Sequence, residues 1–273
     1  MPELPEVETI RVGLEPHLVG RTFEHVEIDD ARLTRPHDRV ETAAELTGET
    51  VAALERRGKY LVVRFESGRV LLIHLRMTGS LLLLRDGAPP DPYRRAVVRL
   101  DNESDVAYRD VRRFGTWLLL EPGELEPYLA SRVGREVFER RLSAQALQAT
   151  LERRRAPIKA VLLDQRVFAG VGNIYADEAL WWARIHPLRP AASLERAELQ
   201  HLLRGVRKAL RHGIARQGAT LRDYRGADGR AGSMQREFRV YGRVGEPCTR
   251  CGTPIEKTRA GGRGTWYCPA CQV

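Results

Sequence analysis

Removal of Met1 leaves the secondary amine of Pro2 at the head of the chain with the Glu3 carboxyl beside it, in a start that reads Met-Pro-Glu-Leu-Pro-Glu-Val-Glu-Thr. An α-amino group titrates near pH ~8 against ~10.4 for a lysine, so far more of it is unprotonated at neutral pH and able to attack carbon. Attack on a sugar C1′ by a secondary amine gives an iminium with no N–H proton to lose, a persistent electron sink, and a neighbouring carboxyl can move the protons. The same residues satisfy a purely structural reading, in which Pro5 opens a helix and Glu6 and Glu8 complement its positive end. A retained Met1 closes the amine in a peptide bond and abolishes the nucleophile.

The four cysteines fall between 248 and 271 as Cys248-x2-Cys251-x16-Cys268-x2-Cys271. Two Cys-x2-Cys pairs at that separation match a four-thiolate zinc site. The competing reading is two disulfides. The sequence shows no secretory signal and no apolar run of transmembrane length, so a reducing cytoplasm is expected, with no membrane partner, and zinc is the reading it favours. Four thiolates fill a tetrahedral shell and leave no position for water, so one structural Zn2+ is expected to fold a hairpin rather than do chemistry.

Residues 201–273 hold 15 Lys and Arg against 5 Asp and Glu, whereas residues 1–200 hold 30 against 31. The whole positive excess is therefore C-terminal, on the segment that carries the cysteines, as expected of a nucleic-acid binder that neutralises phosphates. An arginine-biased composition, 41 Arg to 4 Lys, explains part of the total but not its clustering.

At 273 residues the chain exceeds what one core usually organises, so two domains are expected. From about 22 to 120 short apolar or alternating runs at 60–65, 70–75, 80–84, 96–100 and 116–120, punctuated by Gly, Pro, Asn and Asp, predict an antiparallel β-sandwich or barrel. From about 143 the period becomes helical, through Leu147 and Leu151, then Ile158, Val161 and Leu162, then 174–183, and an amphipathic run from Leu194 to about Gln217. The fold class expected is thus α+β in two domains. Residues 218–235 carry four glycines, several arginines and no apolar period, which predicts a mobile loop. The turn 170–173 ends in Asn173, a good N-cap for a helix starting at Ile174, and such a helix start suits a phosphate.

Several further segments lie in register with these features: Arg-Arg-Gly-Lys-Tyr-Leu around Lys59, His-Leu-Arg-Met-Thr-Gly at 74–79, Asp-Val-Arg-Arg-Phe-Gly at 110–115, and Leu-Asp-Gln-Arg followed by Gly-Val-Gly-Asn-Ile-Tyr-Ala-Asp-Glu-Ala at 163–179. Together with the Pro-Glu-Leu-Pro-Glu start and the closing cysteines, they resemble bacterial formamidopyrimidine-DNA glycosylase over nearly the whole chain. The resemblance implies an N-terminal catalytic β-sandwich domain with an N-terminal helix (1–133), a helical helix-two-turns-helix domain with a lesion-sensing loop at 218–235 (134–235), and a zinc finger (236–273). It implies a repair enzyme acting on duplex DNA with an oxidised purine or abasic site; a nucleoid-associated place within the cytoplasm agrees with the absence of a secretory signal, and a monomer is the default expectation.

By the same resemblance Pro2 and Glu3 are catalytic, Lys59 reaches the lesion phosphate or donates a proton, and Arg263 in Gly262-Arg263-Gly264-Thr265 is a fingertip arginine gripping phosphate. Met77, Arg112 and Phe114 match the trio that fills the hole left by a flipped nucleotide. Arg154, Lys159 and Asn173 match phosphate contacts, and Thr220, Tyr224 and Gln235 match possible contacts to the flipped base. Packing in a core, or a solvated helix end, also accounts for Met77, Phe114 and Lys159. Where family members often carry His-x-His, this chain reads Asp91-Pro92-Tyr93-Arg94-Arg95, leaving Arg94 or Arg95 to replace that DNA contact. Three rival readings stay open: an endonuclease VIII-like enzyme for oxidised pyrimidines, a zinc-finger DNA-binding protein with an inactive N-terminus, and an RNA-associated zinc ribbon.

Overall fold

The computed structural model describes residues 1–273 apart from 85, 86, 88 and 140. The chain divides into two compact units, Met1–Leu129 with Arg216–Ser233, and Ala130–Ala215 with Met234–Val273.

In the first unit, helix α1 (Leu4–Leu18) starts where Pro5 tolerates the missing N–H, and Leu4, Val7, Ile10, Leu14 and Leu18 bury one face at helical spacing. Strand β1 (Phe23–Ile28) follows, then helix α2 (Arg39–Leu46). The Asp38 carboxylate caps α2, accepting the N–H groups of Val40 and Glu41 at 2.7 and 3.2 Å. Seven more strands follow: β2 (Val51–Arg57), β3 (Tyr60–Phe65), β4 (Val70–His74), β5 (Gly79–Leu83), β6 (Arg94–Leu100), β7 (Asp105–Asp110) and β8 (Thr116–Leu120), with helix α3 (Leu125–Ala130) after them. That makes two antiparallel sheets, in the orders β1-β6-β7-β5 and β2-β3-β4-β8. Their inner faces form one apolar core with α1, in which Phe23 meets Phe65 edge-on at 5.4 Å and Tyr108 meets Trp117 at 5.6 Å. The expected β-sandwich is present; α2 had no counterpart in the sequence reading.

The second unit contains α4 (Ala144–Leu151), α5 (Ile158–Leu163), α6 (Asn173–Ala183) and α7 (Arg196–Ala215), then a hairpin of β9 (Glu256–Ala260) and β10 (Arg263–Tyr267). Ser143 caps α4 by accepting from the Ala146 N–H at 3.2 Å. Helix α6 is buried on nearly every side. A Cβ at Gly205 of α7 would come within 2.5 Å of the Ala179 carbonyl, so glycine there permits close backbone packing.

The segment expected to be a mobile loop of the helical domain behaves differently. Residues 216–233 pack with the first unit. Leu83 N–H donates to Ala227 O at 2.8 Å, Ser80 Oγ to Arg225 O at 2.8 Å, and Ala219 N–H to Glu6 Oε1 at 2.7 Å, while Tyr224 and Ala227 join the apolar core. The segment lacks periodicity because its anchoring runs through backbone groups and isolated side chains, which leave no repeat in the sequence. Among the described residues no helix is long and apolar enough to cross a membrane.

Candidate active site and nucleic-acid interface

Pro2 and Glu3 are both buried at the start of α1. Glu3 is the N-cap, and the Glu6 carboxylate reaches back to accept its backbone N–H at 2.8 Å. Burial is the main force lowering the basicity of the Met1 amine, the positive charges of Lys59 and Arg112 act in the same direction, and Glu3 and Glu6 oppose them. Lys59 is 4% exposed in the two-residue turn joining β2 to β3, where Gly58 takes φ +58. One electrostatic neighbourhood thus holds the N-terminus, two carboxyls, a buried lysine and Arg112. Lowered basicity leaves more of an amine unprotonated and able to attack carbon, and it is Pro2 that carries the terminal amine once Met1 is removed.

Met77 is half-buried in the turn between β4 and β5, and Arg112 and Phe114 are exposed between β7 and β8. The Arg112 guanidinium lies over the Phe114 ring, 4.7 Å from its centroid, and that ring is 53% exposed in spite of its size. The core alternative for Phe114 therefore does not describe this structure. Arg94 pairs with Glu27 and Asp29 at 3.4 and 3.3 Å, and Arg95 donates to Asp110 O at 3.0 Å.

Thr220 Oγ1 donates to Tyr224 O and accepts from Gly232 N–H, each at 3.0 Å. The buried Tyr224 hydroxyl lies 3.3 Å from Glu6 O and 3.2 Å from Gln217 O, and burial pushes its phenol well above the usual range. Thr220 and Tyr224 thereby hold their own loop in shape. Gln235 sits in a short 3-10 turn (Met234–Arg236) that belongs to the second unit.

In the second unit Lys159 needs correction as a phosphate contact. It is fully buried, pairs with Asp177 at 2.8 Å, and donates to Gly264 O and Thr265 Oγ1 at 2.7 and 2.9 Å. A compact ammonium satisfies three oxygens there, and no face of it reaches solvent. Burial raises the Asp177 carboxyl to about 7 against the pull of Lys159. Asn173 is not the N-cap expected of it: α6 begins at Asn173 with Gly172 as its N-cap, and Asn173 Nδ2 donates to Gly264 O at 3.1 Å. Arg154 is partly exposed and bonded to Asp164 at 3.1 Å. Arg263 is exposed at the start of β10, just after the Gly261-Gly262 tip, where both glycines have positive φ. Lys159 and Asn173 thus brace the backbone next to Arg263.

The four cysteine Sγ atoms lie within 4.8 Å of one another, and Cys251 and Cys268 are 3.5 Å apart. Zinc–thiolate bonds of about 2.3 Å require sulfurs roughly 3.8 Å apart, so the four residues fit one tetrahedral Zn2+ without rearrangement of their backbone. Trp181 Nε1 donates to Cys248 Sγ at 3.4 Å, and the Trp181 ring packs with Val240 and Ile255 beneath the cluster. The metal is structural: no ligand position is left over for water or substrate.

The sequence reading missed three carboxylates that organise these sites. Glu6 follows Glu3 at the three-residue offset of a capping box, a readable signal. Asp110 and Asp177 lie in the segments at 110–115 and 163–179 that carry the resemblance, but no local spacing marks their partners.

Comparison with known proteins divides the chain into three successive segments. Residues 1–117 match the formamidopyrimidine-DNA glycosylase N-terminal domain, residues 133–225 the H2TH domain of that enzyme, and residues 245–273 the zinc finger found in FPG and IleRS. A formamidopyrimidine-DNA glycosylase of Laribacter hongkongensis is 45% identical over 273 residues, covering 100% of both chains. The Lactococcus lactis Fpg in complex with DNA containing an abasic site has TM-score 0.92 and 37% identity over 99% of both chains. The wild-type L. lactis protein in complex with DNA containing an oxidised pyrimidine gives 0.91 and 36% over the same share. With the β-sandwich, the helical unit and the four-cysteine hairpin matched from end to end, the chain belongs to the formamidopyrimidine-DNA glycosylase family.

Proposed function

We propose that this chain is a bifunctional DNA glycosylase and AP lyase that removes oxidised purines, 8-oxoguanine and formamidopyrimidines, from duplex DNA in the bacterial cytoplasm, as a monomer working on the nucleoid. The observation that carries the reading is the start of α1, where the buried Pro2 and Glu3 share one charged neighbourhood with Lys59 and Arg112. After Met1 is removed, the Pro2 nitrogen attacks C1′ of the extruded nucleotide; an N–C1′ bond forms, the glycosidic bond breaks, and the base leaves with a proton. Glu3 moves protons at the sugar. The amine then loses its proton and the C1′–O4′ bond opens, O4′ taking up a proton, to give an iminium at C1′; the iminium acidifies the C2′ hydrogen, whose loss expels the 3′ phosphate, and a second elimination expels the 5′ phosphate. Lys59 serves the lesion phosphate or the leaving groups, and Arg263 grips the phosphate for the second elimination. Met77, Arg112 and Phe114 fill the vacated stack, and Arg154 and Asn173 contact the DNA backbone.

Borohydride trapping on a duplex with one 8-oxoguanine opposite cytosine tests this reading. A covalent adduct mapped to Pro2 is expected, and Pro2→Gly, which carries a primary amine on a more flexible backbone, is expected to lower trapping at least about 10²-fold. Adduct formation at another residue, or none with Met1 shown to be absent, overturns it. The L. lactis complex with an oxidised pyrimidine favours a second, wider substrate range that includes such pyrimidines; competition between the two lesion duplexes separates the readings.

A further inference from the structure

The Asp110 carboxylate is 1% exposed and ends β7 at the point where its Cα pairs with Gly79, the first residue of β5. Oδ1 accepts from the Thr78 hydroxyl and from the Arg112 N–H at 3.2 Å; Oδ2 accepts from the N–H groups of Phe114 at 2.9 Å and Gly115 at 2.8 Å. Thr78 Oγ1 in turn accepts from the Arg112 N–H at 2.9 Å. A carboxylate has about four acceptor sites, and here all of them are taken. The donors come from two loops, one carrying Met77 and the other Arg112 and Phe114. Each loop also holds a non-glycine residue in the left-handed region, Arg76 at φ 51 and Arg113 at φ 57, a conformation that persists only when its surroundings over-determine it. The second is held by the bidentate pair of Arg113 with Asp30 at 2.5 and 2.8 Å.

We infer that Asp110, working through Thr78, is a positioning residue that locks the Met77 loop and the Arg112–Phe114 loop into one preassembled wedge for the space left by an extruded nucleotide. The inference rests on the glycosylase reading above and goes beyond it, since Asp110 touches neither substrate nor reacting atoms. Asn at this position matches the shape but offers one acceptor oxygen and turns an NH2 toward N–H donors, so at least one loop is released.

The role is tested with two substrates that differ in whether a hole must be filled: a duplex with 8-oxoguanine opposite cytosine, and a single-stranded oligonucleotide with an abasic site. Asp110→Asn is expected to lose about 30-fold in kcat/KM on the duplex, most of it in kcat, and to cut the abasic single strand within about twofold of the wild type. Thr78→Val removes one donor, leaves the three backbone bonds in place, and is expected to show the same selectivity at about fivefold, which keeps the test open if the Asn variant folds poorly. Equal losses on both substrates, which a merely structural role produces, or wild-type rates on the duplex, overturn the inference. A wild-type protein inactive on both substrates overturns the functional reading instead.

Discussion

At the residue scale, burial sets the charge state of His74 in the first unit. His74, 8% exposed, accepts the Arg76 N–H at Nδ1. Burial, followed by the positive charges of Arg76 and Lys59, pushes its pKa down from 6.5 to about 3. The folded protein therefore keeps His74 neutral while the unfolded chain takes up a proton below pH 6.5, and stability is lost as pH falls from 6.5 toward 3, by about 1.4 kcal/mol per pH unit. Urea unfolding at pH 7 and pH 5 is expected to show a stability drop about 2 kcal/mol smaller in His74→Gln than in the wild type. Equal drops would show that His74 is protonated in the fold. Lys159 teaches the same lesson in another form: one of four lysines in an arginine-rich chain, it invites a phosphate-binding reading, but its ammonium is consumed by Asp177, Gly264 and Thr265.

At the element scale, the parts with a local cause were readable in advance. Strands β3 and β8 coincide with the runs seen at 60–65 and 116–120, since alternation and turn residues act over a few positions. Strand β7 was not foreseen, because its sequence Asp-Val-Ala-Tyr-Arg-Asp has charged ends and a mostly buried interior whose pairing with β5 and β6 alone makes it a strand. The hairpin β9–β10 is short and strongly polar, with one buried residue in each strand. Its stability must come from the metal and from α6, through Trp181 on Cys248 and Asp177 on the Trp266 N–H at 3.2 Å. A chelator that strips the zinc is expected to unfold residues 245–273, seen as a red shift in tryptophan fluorescence as Trp181 and Trp266 meet water, and readdition of Zn2+ is expected to restore the spectrum. A spectrum unchanged by metal removal would mean that packing alone holds the hairpin.

At the scale of the whole molecule, a net charge of +9 with its excess beyond residue 200 makes DNA affinity an electrostatic quantity. With about six phosphates neutralised, affinity for undamaged duplex is expected to fall about 10³-fold between 50 and 200 mM salt, measured by fluorescence anisotropy. A flat salt response would contradict the assigned phosphate contacts. The sequence by itself determined the N-terminal Pro2–Glu3 pair, the four-cysteine site, the succession of a β region and a helical region, and the family, because each is carried by residue types at short spacings. Only the tertiary structure decided what Lys159, Asp110 and the segment 216–233 do, because their partners lie far away along the chain: Glu6 meets Ala219 across 213 residues, Lys159 meets Thr265 across 106, and Thr78 meets Asp110 across 32. A buried polar group takes its role from the donors and acceptors that folding brings to it, and no local spacing in the chain encodes them.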